Sequence, residues 1–447
     1  MRRLKGRWLW SLSIAALMAL AVDAGCSSQD GYEKAPEAPP ASGIDSDKKI
    51  TLQMMESLTN PKRTALLSEM IAKFESRNPG IKVVLISPPF DQADSTIRAM
   101  LSAKQDLDVL EVRDNNIASL SYSGYLEPLN AFAAHWPDYA TVGPVAESIG
   151  SAGGQLYFIA NGLYQRQLFY RKDWLEAKGL QPPTTWQELY ETGKKLTDAA
   201  QNRYGFSFRG GPGSIAVIDS MVLAFNGEKV NLEDGQFLKD GTTIYSSPEA
   251  QRAAELYLKL YQDASPPDSV YWGFQEQVQA FISGVTGMLL QDPDVIQTIQ
   301  DKMKPDTWAT APMPLGPTGK SLITAGGAGW GIAAASKNKA AAWKLITFLS
   351  SPEQNISFSK NYGLIPIHTS AAYDPYFQSG PYKTLLEMTQ KTDTFLHFKP
   401  PFQYQGLAQW AKESMDTGQA MLLGRATVQE TLSKWDVFWE EQKSPLK

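Results

Sequence analysis

A single cysteine, Cys26, and three histidines, at 135, 368 and 397, are the chain's whole supply of soft metal ligands. They cannot build a disulfide scaffold or a Cys/His metal cluster, and a chain of 447 residues buries enough surface to fold without either. Surplus positive charge is also missing. The 42 Lys and Arg face 47 Asp and Glu, a formal net charge of -5, which leaves no broad phosphate-neutralising surface and excludes nucleic acid as a default partner. Catalytic signatures are equally scarce: there is no His-Glu-x-x-His and no Gly-x-Ser-x-Gly. Gly319-Lys320-Ser321 ends like a phosphate-binding loop, but Pro314 stands where that loop needs its first glycine. The glycine-rich stretches Gly205 to Gly213 and Gly326 to Gly331 lack the Gly-Lys-Ser/Thr ending, so no cofactor is implied. Glycines around 326 suit a crossing between lobes or a close backbone approach to a ligand. Aromatic and punctuating residues are plentiful, with 12 Trp, 18 Tyr, 18 Phe, 34 Gly and 28 Pro, a mixture that suits large folded domains with stacking surfaces.

The amino terminus reads as an export signal. Arg2, Arg3, Lys5 and Arg7 precede a nearly unbroken apolar run from Trp8 to Val22, too short and too terminal for a membrane-spanning helix. Ala24-Gly25-Cys26 resembles the bacterial lipoprotein processing site, whose cysteine becomes the lipidated first residue; Asp23 departs from the apolar residue usual three positions before it. Ser27 to Lys48 is rich in Ser, Asp, Glu, Pro, Ala and Gly, as a tether would be. Removing residues 1–25 takes away four positive charges and one negative, bringing the mature protein from -5 to near -8.

Apolar spacing then predicts an α/β chain. Lys49 to Met55, Ile81 to Ile86 and Leu107 to Val112 read as strands, separated by helical patterns at Leu66 to Phe74 and Ile97 to Leu101. This β-α-β-α-β order predicts a mainly parallel sheet, with ligand sites beyond the carboxyl ends of the strands, where Glu56 and Asp114 fall. Gln167 to Tyr170 reads as another strand. Further helices are expected at Glu188 to Ala199, capped by Thr185 and Glu188, at Pro248 to Gln262, at Phe274 to Ser283 and at Ala340 to Ser350.

Specific blocks carry a resemblance. Gln155-Leu-Tyr-Phe-Ile-Ala160, Leu168-Phe-Tyr-Arg-Lys-Asp-Trp174 and Pro182-Pro-Thr-Thr-Trp-Gln-Glu-Leu189 look like the family 1 extracellular solute-binding proteins of bacterial ABC importers, with Arg171 where the family usually has Asn. The likeness continues through Asp106 to Leu110, Gly124 to Leu129, Phe281-x-x-Gly284, Gly326 to Ile332, Ala342 to Ile346, Ser351-Pro-Glu353 and Gly363-Leu-Ile-Pro366. It implies a periplasmic-binding-protein-like fold of type II, with two interleaved α/β lobes. Residues 48–160 and 326–366 would form the N-terminal lobe, and 161–325 and 367–447 the C-terminal lobe. These follow a signal at 1–25 and a tether at 26–47. Three crossings are expected near residues 158–166, 323–330 and 364–370, with the ligand between the lobes.

The function implied is that of a substrate-binding component, not an enzyme. It would be a monomer held to the outer face of the cell membrane by lipid on Cys26, carrying a carbohydrate to the permease subunits. Trp330 and Tyr164, in two of the crossings, are the leading candidate contacts. Tyr271, Trp272 and Phe274 offer a stacking wall, and Asp292 follows the apolar pair Leu289-Leu290 at a strand end. Arg209, Glu56, Asp114, Asn115 and Tyr362 complete the candidates. Glu56, Glu111, Asp114 and Asp292 keep open the alternative of a secreted glycan-active enzyme. A sugar sensor or adhesion module without a transporter is the other alternative.

Overall fold

The computed structural model describes residues 49–404 and 406–443; the expected signal segment, Cys26 and the tether lie outside them. The first strands are β1 (Ile50–Met55), β2 (Ile81–Ile86) and β3 (Val109–Arg113), with helices Pro61–Arg77 and Ala93–Ser102 between them where the apolar spacing places them. The Asn60 side chain accepts from the Arg63 amide at 3.0 Å and Pro61 opens the first helix, a start that satisfies an otherwise orphaned donor. Leu67, Met70, Ile71 and Phe74 bury its inner stripe.

A small hairpin of β4 (Ser151–Ala152) and β5 (Gln155–Leu156) leads into β6 (Phe158–Tyr164) and β7 (Gln167–Arg171). Next come β8 (Tyr204–Phe206), β9 (Thr286–Gln291), β10 (Trp308–Ala311), β11 (Ser321–Ile323), β12 (Gly326–Ile332) and β13 (Phe395–His397). One five-stranded sheet runs β2-β1-β3-β12-β6, and a four-stranded sheet runs β10-β7-β9-β8. β1 is parallel to β2 and β3, whereas β12 is antiparallel to both β3 and β6.

Each main sheet organises one lobe. The chain leaves the first between β6 and β7, through Gln165 and Arg166, and returns between β11 and β12, through Thr324 and Ala325. β6 stays paired to β12 as far as Tyr164↔Gly326, which carries the first lobe past residue 160. Ile365 pairs with Leu163 and His368 with Val142, so the first lobe also extends beyond 366. Helix Gly380–Gln390 packs on β10 of the second sheet, which puts the third crossing between Tyr373 and Gly380.

The glycine run at 326–331 belongs to β12. A Cβ on Gly329 would stand 2.2 Å from the Ile159 carbonyl oxygen, beside the register shift between Ala328 and Gly329. The close approach is therefore to a neighbouring strand. In the second lobe the expected capping box is present, with the Glu188 amide donating to Thr185 Oγ1 at 3.1 Å. Helix Ile215–Asn226, apolar on nearly every face, lies among helices Pro248–Ala264 and Leu407–Leu422. Among the described residues no helix is long and apolar enough to cross a membrane.

Candidate functional site

Two adjoining cavities open where the chain crosses between the sheets. The inner one, of about 440 Å³, takes Tyr164 and Arg166 from the first crossing and Thr324 from the second. Its far wall is the second lobe's Asp219, Asp292, Phe398 and Trp410. Asp219 is the only ionisable residue in Ile215–Asn226, and its neighbours on the cavity wall include Ile215, Leu223 and Ile244. Burial pushes its carboxyl up to about 7, against the opposing effects of a 2.7 Å hydrogen bond from the Tyr245 hydroxyl and the charge of Arg166.

Asp292 follows β9 and stands 3.7 Å from Arg166 Nε, with each side chain more than a quarter exposed. Arg209 lies close enough to feel both. Its Nε donates to the Pro212 carbonyl at 2.6 Å, and burial, then the charge of Arg166, lower its pKa. The Tyr164 hydroxyl is held well above its ordinary value by burial, next by Tyr362. Carboxylates thus sit beside aromatic rings, the arrangement that orients hydroxyl groups while covering C–H faces.

The outer cavity, of about 640 Å³, shares Thr324, Phe398, Pro400 and Phe402 with the inner one. Asp114 and Tyr122, from the two ends of helix Asp114–Tyr122, form part of its opposite wall. Asp114 accepts from the amides of Gly327 at 2.8 Å and Asn115 at 2.7 Å, yet burial still raises its carboxyl to about 6.

The shared wall is tied down by backbone hydrogen bonds. The Phe398 amide donates to the Ile323 carbonyl at 3.2 Å, the Lys399 amide to Leu232 at 2.8 Å and the Gly235 amide to Lys399 at 3.0 Å. Gly235 lies flat against the Phe398 ring, where a Cβ would be 2.1 Å from Cδ2. Asp234 accepts from the Tyr404 hydroxyl at 2.5 Å and from Gln403 Nε2 at 3.1 Å.

Tyr164, Asp292 and Asp114 therefore line the cavities, with Arg209 beside them. The other candidates lie elsewhere. Trp330 is 2 % exposed on an interior strand of the first sheet, its ring 5.8 Å from the Arg63 guanidinium, so it packs the first lobe and lines neither cavity. Glu56 is fully buried, accepting from Arg63 Nη1 at 3.3 Å and Thr64 Oγ1 at 2.5 Å. Glu111 is fully buried too and pairs with the same guanidinium, and neither carboxylate lines either cavity. The Tyr362 hydroxyl accepts from Asn60 Nδ2 at 2.7 Å. Tyr271 is exposed, Trp272 Nε1 donates to Asp268 Oδ2 at 3.1 Å, and Phe274 packs against the hydrophobic core; none of the three lines either cavity. Asn115 is exposed and lines neither cavity. Sequence reasoning passes over Asp219, Arg166, Tyr122, Trp410 and the rings of Phe398-Lys-Pro-Pro-Phe402. A lone carboxylate in an apolar helix and two rings flanking a double proline were the available signals.

Comparisons with known proteins converge on one family. The model for bacterial extracellular solute-binding proteins matches residues 60–356. A putative binding protein of Brucella abortus is 26 % identical over 340 residues, covering 74 % of this chain and 78 % of its own. The mannitol-binding protein of Pseudomonas aeruginosa is 24 % identical over 317 residues, 67 % of this chain and 70 % of its own. Among solved structures, maltose-bound MalE3 of T. maritima superposes with a TM-score of 0.74 at 22 % identity, covering 88 % of this chain and 99 % of that one, which gives the fold as the two-lobed, type II binding-protein architecture. With the matched region spanning most of both lobes, the chain belongs to the bacterial extracellular solute-binding protein family.

Proposed function

We propose that this chain is the extracytoplasmic substrate-binding component of an ABC importer, holding a sugar or oligosaccharide between its lobes and delivering it to the permease. The observation that carries this reading is the inner cavity, which Asp219, Asp292 and Tyr164 line together with Phe398 and Phe402. Carboxylates accept from sugar hydroxyls and rings cover the apolar sugar faces, so affinity and orientation come from separate groups. The mannitol and maltose in the names of two similar proteins agree with a polyhydroxylated ligand.

No bond is broken in this reading. Two of the four carboxylates that a glycosidase would draw on, Glu56 and Glu111, are held by Arg63 inside the first lobe. Ligand that touches both lobes favours the closed arrangement by its differential contacts. Lipid on Cys26 would keep the protein, as a monomer, at the outer face of the membrane, and Asp23→Leu should raise the lipidated fraction seen by mass spectrometry.

Thermal melts of the mature chain against sugars, polyols, peptides and polyamines test the reading. At least one sugar or polyol should raise the melting temperature and be recovered unaltered. Stabilisation by peptides or polyamines alone would sink it, and a cleaved glycan would establish the enzyme alternative.

A further inference from the structure

The names of similar proteins run from a single-unit polyol through maltose to maltotriose and maltotetraose, which leaves the length of this chain's ligand open. Several features of the two cavities bear on length. They adjoin, with Thr324, Phe398, Pro400 and Phe402 in the lining of both. Their volumes, about 440 and 640 Å³, each fall within the roughly 300–1,000 Å³ of a pocket for one small ligand.

Their walls also differ in chemistry. The inner compartment has Asp219 and Asp292 at its wall, suited to fix one ring by its hydroxyls. The outer compartment has Tyr122, 77 % exposed, on one side and Phe402 on the other, suited to cover ring faces. Phe398 stands at the junction and is immobilised by Gly235 and by backbone bonds on both sides of it, so little ordering cost falls on it when a ligand binds. A ligand of one ring would leave Tyr122 and the outer face of Phe402 in water.

We propose that the ligand is an oligosaccharide of at least two rings, the first seated on Asp219 and Asp292 and the following ones passing Phe398 between Phe402 and Tyr122. This rests on the carbohydrate reading above. Each added ring gains contact with an aromatic face, while the inner ring supplies orientation.

Calorimetric titration of the mature chain with homologous series of one to four units decides it, using α-glucans, β-glucans, xylans and β-mannans, with mannitol and ribitol as single-unit polyols. In at least one series affinity should rise about tenfold or more from the monosaccharide to the trisaccharide, a difference of about 1.4 kcal/mol. Tyr122→Ala and Phe402→Ala should each collapse that trisaccharide-to-monosaccharide ratio towards one. Asp292→Asn, on the inner wall, should weaken every member of the series by a similar factor. A monosaccharide or polyol that binds as tightly as every longer sugar would overturn the proposal and leave the carbohydrate reading standing. A ratio indifferent to both outer substitutions would also overturn it. Absence of binding by any sugar or polyol would remove the carbohydrate reading itself, and this inference with it.

Discussion

Asp219 places a carboxyl against apolar side chains, with the Tyr245 hydroxyl as its hydrogen-bond donor. Burial lifts it to about 7, lifts Asp294 to about 7 and Asp114 to about 6. A carboxyl raised above its unfolded value of about 3.9 binds more protons folded than unfolded. Its contribution is complete below about pH 4 and is lost as pH rises through the folded value. Without ligand, melting temperature should therefore fall between about pH 5 and pH 8, and Asp219→Asn should flatten the slope; an unchanged slope would show that Asp219 ionises freely. Trp330 makes the opposite case. It was readable as a large ring in a crossing, but the sequence does not say which face of β12 is covered, and Arg63 and the surrounding lobe occupy that side. Trp330→Ala should cost about 3–5 kcal/mol in urea unfolding, with ligand affinity of the remaining folded protein little changed.

At the scale of elements, the amino-terminal lobe is held together by a buried polar network. The Arg63 guanidinium meets Glu111 and Glu56, and its neighbours include the rings of Trp330, Phe358 and Tyr362. Glu111 also accepts from the amides of Ser57 at 2.8 Å and Leu58 at 2.9 Å and from Asn161 Nδ2 at 2.6 Å. One carboxylate thus joins the end of β1, the first helix, β3 and β6. Despite burial its pKa is lowered, with Arg63 the leading stabiliser of its charge. Glu111→Ala should destabilise by about 3–5 kcal/mol, because it leaves the buried Arg63 cation with Glu56 alone and removes the acceptor of two amides. Arg63→Met with Glu111→Leu should recover only part of that in chemical denaturation, since the Ser57 and Leu58 amides stay without their acceptor. The first three strands of this lobe, the helices between them and helix Lys339–Leu349 were legible because each carries its own apolar period within about twenty residues. The aromatic wall at 398–404 was not, because its position depends on Ile323, Leu232, Asp234 and Gly235, remote in sequence and silent until folded.

For the whole molecule, what matters is that the cavities take walls from both lobes and from the segments joining them. Asp114 and Tyr122 come from the first lobe, Asp219, Asp292 and Phe398 from the second, and Tyr164 and Thr324 lie at the crossings. A ligand spanning those walls stabilises the lobes together, because unfolding either one forfeits its contacts. At a free concentration about a hundredfold above Kd it should add about 2.7 kcal/mol to the stability of the mature protein and leave one cooperative transition. Phe398→Ala should shrink that increment at fixed ligand concentration. Trp343 supplies the contrast, partly buried against Phe132 at 5.4 Å and Trp136 at 6.0 Å and lining neither cavity. Trp343→Ala should lower the melts with and without ligand alike, by roughly 1–3 kcal/mol, and keep the increment. Two separated transitions in saturating ligand, only one of them shifted, would mean that the ligand rests on one lobe and that the opposite wall contributes nothing to holding it.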